Sequence, residues 1–184
     1  MWFICGLGNP DTEHKLTRHN LGFDVVDSLI KHNDFDLLKK DKNKILFKGK
    51  IEKKICYICK PQTYMNLSGT IISELTKFYK IPIEKIIIIH DDLDLTIGKI
   101  KIKVGGGNAG HNGLLSIDKY IGNNYKRIRI GIGRPNSKRL ISKYVLERFL
   151  TNERKIIDCK IDLLVKHFSL IFENDNLFLT RISE

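Results

Sequence analysis

The chain lacks any run approaching the roughly 20 consecutive apolar residues that a membrane-spanning helix needs. Its opening, MWFICGLGNP, has no basic segment leading into a long apolar one, so a cytoplasmic protein with no membrane attachment is expected. Cysteine is sparse: Cys5, Cys56, Cys59 and Cys159 are all there are. They lie mostly inside apolar segments, which suits buried, reduced thiols better than a disulfide framework in a domain of this size. Cys56 and Cys59 form a C-x-x-C within KKICYICK. That stretch alternates like a strand, in which residues three apart point to opposite faces and do not suit a shared metal.

Several catalytic signatures are also missing. No G-x-S-x-G elbow presents a serine nucleophile. GLGNPD has Asp11 where a dinucleotide fingerprint needs its third glycine, and Pro10 would break the turn into the helix. GGGNAGHNG has the glycines to cradle a phosphate but not the Lys-Ser/Thr ending of a P-loop. With neither an internal repeat nor a low-complexity linker, residues 1–184 are expected to form one domain with a substantial core.

Positive charge is abundant. Lys and Arg number 32 against 21 Asp and Glu, a formal charge of +11, so the surface should attract polyanions through a long-range, salt-sensitive field. Nucleic acid is the leading partner class, although many of the lysines fall on faces where they serve solubility alone. Apolar residues at 42% and charged residues at 29% give the balance of a soluble globular protein.

Strands and helices alternate along the chain. WFICGL, residues 2–7, is a buried strand stopped by Gly8, Asn9 and Pro10. From about Arg18 to His32 the residues Leu21, Val25, Val26, Leu29 and Ile30 recur at helical spacing. Segments 45–51 and 55–59 read as a hairpin, and Ser68 to Tyr79 as a second helix ended near Pro82. In KIIIIHDDLDL the consecutive isoleucines require burial on both faces, hence a central strand. KIKIKV (99–104) and RIRIGIG (127–133) alternate as strands with a basic face, a short helix runs from Leu114 to Ile121, and a longer one from Asn152 to Phe172. The pattern predicts an α/β fold, a single three-layer domain whose mixed, twisted sheet carries helices on both faces.

Residues able to do chemistry crowd into loops that each follow a predicted strand: GNP with TRHN, TYMNLSG, HDDLD and GGGNAGHNG. Such loops are where open α/β sheets bind ligands. His19, at the start of a helix, has the reference pKa for general-base work, although a lone histidine there is commonly a capping residue. Asp91, ending the central strand, can orient an imidazole and stabilise its charged form. Asp91, Asp92 and Asp94 also allow a metal reading, and His90, Asp91 and Asp92 a divalent-metal site for phosphoester cleavage, as in a nuclease, but hard cations need further oxygen ligands. Ser68 and Thr17 are available hydroxyls, yet without an elbow water is the expected nucleophile. Asn9, Asn66 and Asn112 supply amides able to hold a peptide main chain or an oxyanion.

Taken in order, GNP…TRHN, TYMNLSG, HDDLDL, GGGNAGHNG and RIGIGRP resemble the bacterial-type peptidyl-tRNA hydrolases over residues 2 to about 150. The resemblance implies an esterase that frees a peptide's C-terminus from the tRNA 3′ end, recycling tRNA from stalled or aborted translation. It implies no metal or organic cofactor, a monomer, and contacts to the acceptor stem and 3′ end of peptidyl-tRNA. His19 would be the general base, Asp91 its supporting carboxylate, and Asn9 the residue that separates N-blocked from free aminoacyl-tRNA. Asn66 and Asn112 would hold the peptide and 3′ end, Tyr64, Met65 and His111 would shape the pocket, and Lys103 and Arg129 would contact tRNA phosphate. The family pattern has glycine after GNP, then a tyrosine, and later a proline, where this chain has Asp11, His14 and Thr96. His14 keeps a flat ring for tRNA contact. The helix from about residue 152 would cover the cleft by the same analogy.

Overall fold

In a computed structural model, residues 1–183 are described, and two apolar strands form the middle of one seven-stranded sheet. β1 (Trp2–Gly6) and β5 (Ile86–Asp92) are buried along their whole length and run parallel, with Phe3 opposite Ile86 and Gly6 opposite Ile89. Parallel neighbours flank them, β4 (Lys54–Pro61) beside β1 and β7 (Lys126–Gly131) beside β5. β3 (Lys44–Ile51) continues antiparallel from β4, β2 (Phe35–Lys40) from β3, and β6 (Ile100–Val104) from β7. The order is β2-β3-β4-β1-β5-β7-β6.

The alternation within β5 explains the layers. Ile87 and Ile89 join one apolar cluster with α1 (Leu21–His32), α5 (Thr151–Lys166) and α6 (Asp175–Ser183). Ile86 and Ile88 join the other, with α2 (Ser68–Phe78) and α3 (Asn112–Ile121). The expected three-layer α/β fold is therefore present. Cys56 and Cys59 fall in different clusters, as their spacing on a strand requires. Burial pushes the Cys56 thiol up to about 12 and raises Cys5 as well, whereas Cys159 is exposed. Among the described residues no helix is long and apolar enough to cross a membrane.

The expected elements differ from the observed ones at the periphery. β2 carries no alternation because it is an exposed edge strand, with a register shift between Leu37 and Lys39, and its lysines discourage further pairing. The helix expected over 152–172 ends at Lys166 and gives way to a 3₁₀ turn over Phe168–Phe172. There Phe168 and Ile171 are drawn into the core, and Lys126 of β7 donates to the Ile171 carbonyl at 2.9 Å. α4 (Ile141–Leu146) and α6 are further helices that periodicity missed, both too short to show it.

Topology sets the site. From β1 the chain leaves through α1 and the hairpin to β4, on one side of the centre; from β5 it leaves through β6 and α3 to β7, on the other. The carboxyl ends of β1 and β5 are thus a point where the winding reverses, the usual ligand crevice of such sheets. Two glycines let α1 come close enough to matter there. A Cβ on Gly22 would stand 2.4 Å from the Ile89 carbonyl oxygen and from the Leu7 nitrogen, and one on Gly6 would stand 2.1 Å from the Gly22 oxygen. Without side chains at these positions, the turn preceding α1 lies directly against the end of β5.

Candidate active site

That turn is a 3₁₀ segment, Arg18–Asn20, buried throughout. It presents His19 to Asp91, whose carboxylate oxygens lie 2.9 and 3.0 Å from His19 Nδ1. His111, preceding α3 on the opposite face of the sheet, reaches the same carboxylate, with Nε2 3.1 Å from Asp91 Oδ1. The imidazole rings lie 4.7 Å apart. Asp91 is 2% exposed. Burial would raise its pKa, but the two histidines outweigh this and hold the carboxyl far below the ordinary range. For His19 burial favours the neutral ring, while the Asp91 charge and hydrogen bond prevail and raise its pKa.

The hydrogen bonds settle which ring nitrogen carries the proton. An ionised carboxylate only accepts, so His19 Nδ1 and His111 Nε2 both donate to Asp91. The second nitrogen of His111 accepts from the Gly113 and Leu114 amides at 3.1 and 3.4 Å, capping α3. The second nitrogen of neutral His19 carries a lone pair, and His19 lines an open cavity of about 520 Å³. His19 can therefore take a proton there, whereas both nitrogens of His111 are engaged.

Asn9 is fixed with equal definition. Its backbone exchanges two 2.9 Å hydrogen bonds with the side chain of Asn20. Its Oδ1 accepts from the Met65 amide at 2.9 Å, which identifies the oxygen and leaves the Nδ2 hydrogens for the cavity that Asn9 lines. Tyr64, Met65, Asn66, His111 and Asn112 line the same cavity. His14, Lys103 and Arg129 do not. His14 turns back on Asp11, whose carboxylate accepts from its ring Nδ1 and, at 3.2 Å, from its amide, so the two departures from the family pattern bind one another. Lys101 and Lys103 form the exposed basic face expected on β6. On β7 the expectation is only partly met: Arg129 donates to Asp92 at 2.7 Å, and Arg127 is 2% exposed.

The other carboxylates after β5 diverge: Asp92 pairs with Arg129, and Asp94 with Arg134 at 2.5 Å. His90 is held neutral by burial and by the neighbouring His111, its pKa lowered to about 3. This arrangement favours neither a metal on Asp91, Asp92 and Asp94 nor one on His90, Asp91 and Asp92. His19, Asp91 and His111 do bring ligand atoms within 4.8 Å of one another, but their protons already link them as donors and acceptor. Neither hydroxyl considered is free, since Thr17 donates to the His14 carbonyl at 2.7 Å and Ser68 to the Met65 carbonyl at 2.9 Å.

Sequence reasoning missed one wall of the cavity. Ile141, Val145 and Leu146 of α4, with Leu93, give it an apolar side. No residue of α5 lines it, so α4 and not the longer helix covers the cleft. Arg18 holds α4 in place: its guanidinium lies 4.0 Å from the Tyr144 ring centre and donates to the Tyr144 carbonyl at 3.2 Å, while Glu153 of α5 accepts from it at 2.8 Å. Nothing in the spacing of the sequence marks either feature.

Fold and site together define an α/β protein with a carboxylate-oriented imidazole, poised to accept a proton, at the floor of a cleft. The chain matches the family described as "Peptidyl-tRNA hydrolase" over residues 3–182 and belongs to it. Similar curated proteins include "Peptidyl-tRNA hydrolase" of Rickettsia canadensis (strain McKiel), 47% identical over 175 residues, 95% of each chain. That of Bartonella henselae is 41% identical over 185 residues, 100% of this chain and 96% of the other. The crystal structure of peptidyl-tRNA hydrolase from Acinetobacter baumannii superposes with a TM-score of 0.93 at 40% identity, covering 99% of this chain and 94% of that one.

Proposed function

We propose that the chain hydrolyses peptidyl-tRNA as a carboxylic ester hydrolase, with water as nucleophile and His19 as general base. The observation that carries this reading is the His19–Asp91 contact: Nδ1 lies 2.9 and 3.0 Å from the carboxylate oxygens, which assigns the proton to Nδ1 and leaves Nε2 to the cavity that His19 lines. His19 Nε2 takes a proton from water as the oxygen attacks the ester carbonyl, and Asp91 stabilises the imidazolium that forms. The carbonyl becomes a tetrahedral oxyanion, for which the Asn9, Asn66 and Asn112 amides are the available neutral donors. Collapse breaks the bond to the ribose oxygen, which takes the proton back from His19. Free peptide acid and tRNA result.

Discrimination of N-blocked from free aminoacyl groups is assigned to Asn9, a reading supported by its fixed side chain at the cavity wall. Tyr64 and Met65 shape the peptide side of the pocket, while Lys103, Arg129 and His14 are assigned to the tRNA. Backbone contacts of that kind position a nucleic acid without reading its sequence. The chain is taken to work in the cytoplasm as a monomer, with residues 1–184 as one unit and no cofactor.

The test is release of N-acetyl-aminoacyl groups from tRNA in the presence of a chelator, with free aminoacyl-tRNA as control. Selective cleavage of the blocked substrate by wild type and its loss in His19→Ala are expected. Activity that disappears with the chelator and returns with a divalent ion would instead favour a metal on His19, Asp91 and His111.

A further inference from the structure

The glycine-rich loop reaches the site from the wrong end of the sheet. Val104, the last residue of β6, pairs with Lys126 at the start of β7, whereas Asp91 pairs with Ile130 near its end. The chain from Gly105 must therefore run back along the sheet before His111 can meet Asp91. Gly105, Gly106, Ala109 and Gly110 all have positive φ, which strand pairing does not accommodate; Asn123 holds only the start of the segment, its carbonyl accepting from the Gly105 amide at 3.1 Å and its Nδ2 donating to the Gly106 carbonyl at 3.2 Å.

Arg127 lies beneath this segment, 2% exposed. Its Nη2 donates to the carbonyls of Gly105 and Gly106 at 2.8 Å each, and its Nη1 to that of Gly107 at 2.9 Å. The partners are carbonyl dipoles rather than a carboxylate, and the buried Nε has no partner. A buried cation held this way costs stability unless the fork of donors is filled. Beyond Gly107 the connection continues without a gap. Asn108 donates to Asp118 at 3.4 Å, and Asp118 in turn accepts from Tyr125 at 2.7 Å. The Asn108 carbonyl accepts from the His111 amide at 2.9 Å, and His111 donates to Asp91.

We infer that Arg127 is a positioning residue for the reaction: its three-carbonyl clamp fixes the returning glycine-rich loop and thereby places His111 and Asn112 at the cavity. The activity readout below rests on the hydrolysis proposed above, while the exchange readout does not.

The experiment compares Arg127→Lys and Arg127→Met with wild type by residue-resolved amide exchange and by kcat/KM on N-acetyl-aminoacyl-tRNA. In both variants the Gly110 and His111 amides should exchange faster by on the order of tenfold or more, with α1 unchanged. kcat/KM should fall by roughly 10- to 100-fold, the effect of ångström-scale misplacement. Lysine should not rescue, because one ammonium cannot span three carbonyls. Wild-type exchange and activity in Arg127→Lys would overturn the inference, as would acceleration spread evenly over the whole molecule. Should Arg127→Met fail to fold, Arg127→Lys decides alone, together with the Arg127 Nη protons of the wild type, which should resonate as slowly exchanging, rotationally hindered signals. Rapid averaging of those protons would overturn the inference. Altered exchange with no hydrolysis even in wild type would leave the clamp standing and remove the functional reading.

Discussion

His19 and His111 touch the same carboxylate from opposite faces of one sheet, at 2.9 and 3.1 Å, yet only one is equipped for chemistry. The difference lies in the nitrogen that faces away. In His111 it caps α3; in His19 it meets the cavity. Proximity to a buried carboxylate therefore does not identify a base, and the fate of the second nitrogen does.

The largest effect should follow removal of that nitrogen. His19→Ala is expected to lower kcat by about 10²- to 10⁴-fold while retaining tRNA binding in a filter or anisotropy assay, and an active variant would break the comparison. Asp91→Asn comes next, at roughly 10²-fold or more, because an amide can stabilise the wrong tautomer and cannot neutralise the imidazolium. The same variant sharpens the pH argument. The proposed base works when neutral, so activity should rise with pH through a His19 pKa lying above its ordinary value. In Asp91→Asn this limb should move to lower pH, and an unmoved limb would assign it to another group.

Asn9→Ala should cost about 10- to 100-fold and narrow the preference for blocked over free aminoacyl-tRNA, measured as the ratio of their kcat/KM values. His111→Ala should cost least in rate, within about tenfold, and show itself mainly as a loss of about 1 kcal/mol in denaturant unfolding from the missing cap. A rate loss equal to that of His19→Ala would make the two rings equivalent and dissolve the distinction. His90 offers a contrast in sign. Its folded pKa lies below the unfolded value, so its contribution to stability is lost as pH falls from about 6.5 toward about 3. The stabilisation from His19, whose pKa is raised, is lost instead as pH rises through that value.

The central strand and its layers were legible because four consecutive isoleucines admit only burial on both faces. Asn9, His19, Tyr64, Met65, Asn66, Asp91, His111 and Asn112 of the cavity were legible through the loops that carry them. What was not legible depends on contacts between distant segments. RIRIGIG gives no sign that Arg127 is covered by a loop while Arg129, two residues on, meets Asp92. KIKIKV exposes Lys101 and Lys103 as alternation predicts. The role of Asn20 in fixing Asn9, and of α4 as a wall, rests on partners 11 and more than 100 positions away, which no local pattern encodes.

The tautomers themselves can be observed directly, by nitrogen-15 spectroscopy of the histidine rings above the His19 pKa. His19 should carry its proton on Nδ1 and His111 on Nε2, with the remaining nitrogen of each unprotonated. The same tautomer in both rings, or a proton on His19 Nε2, would contradict the assignment of His19 as the base.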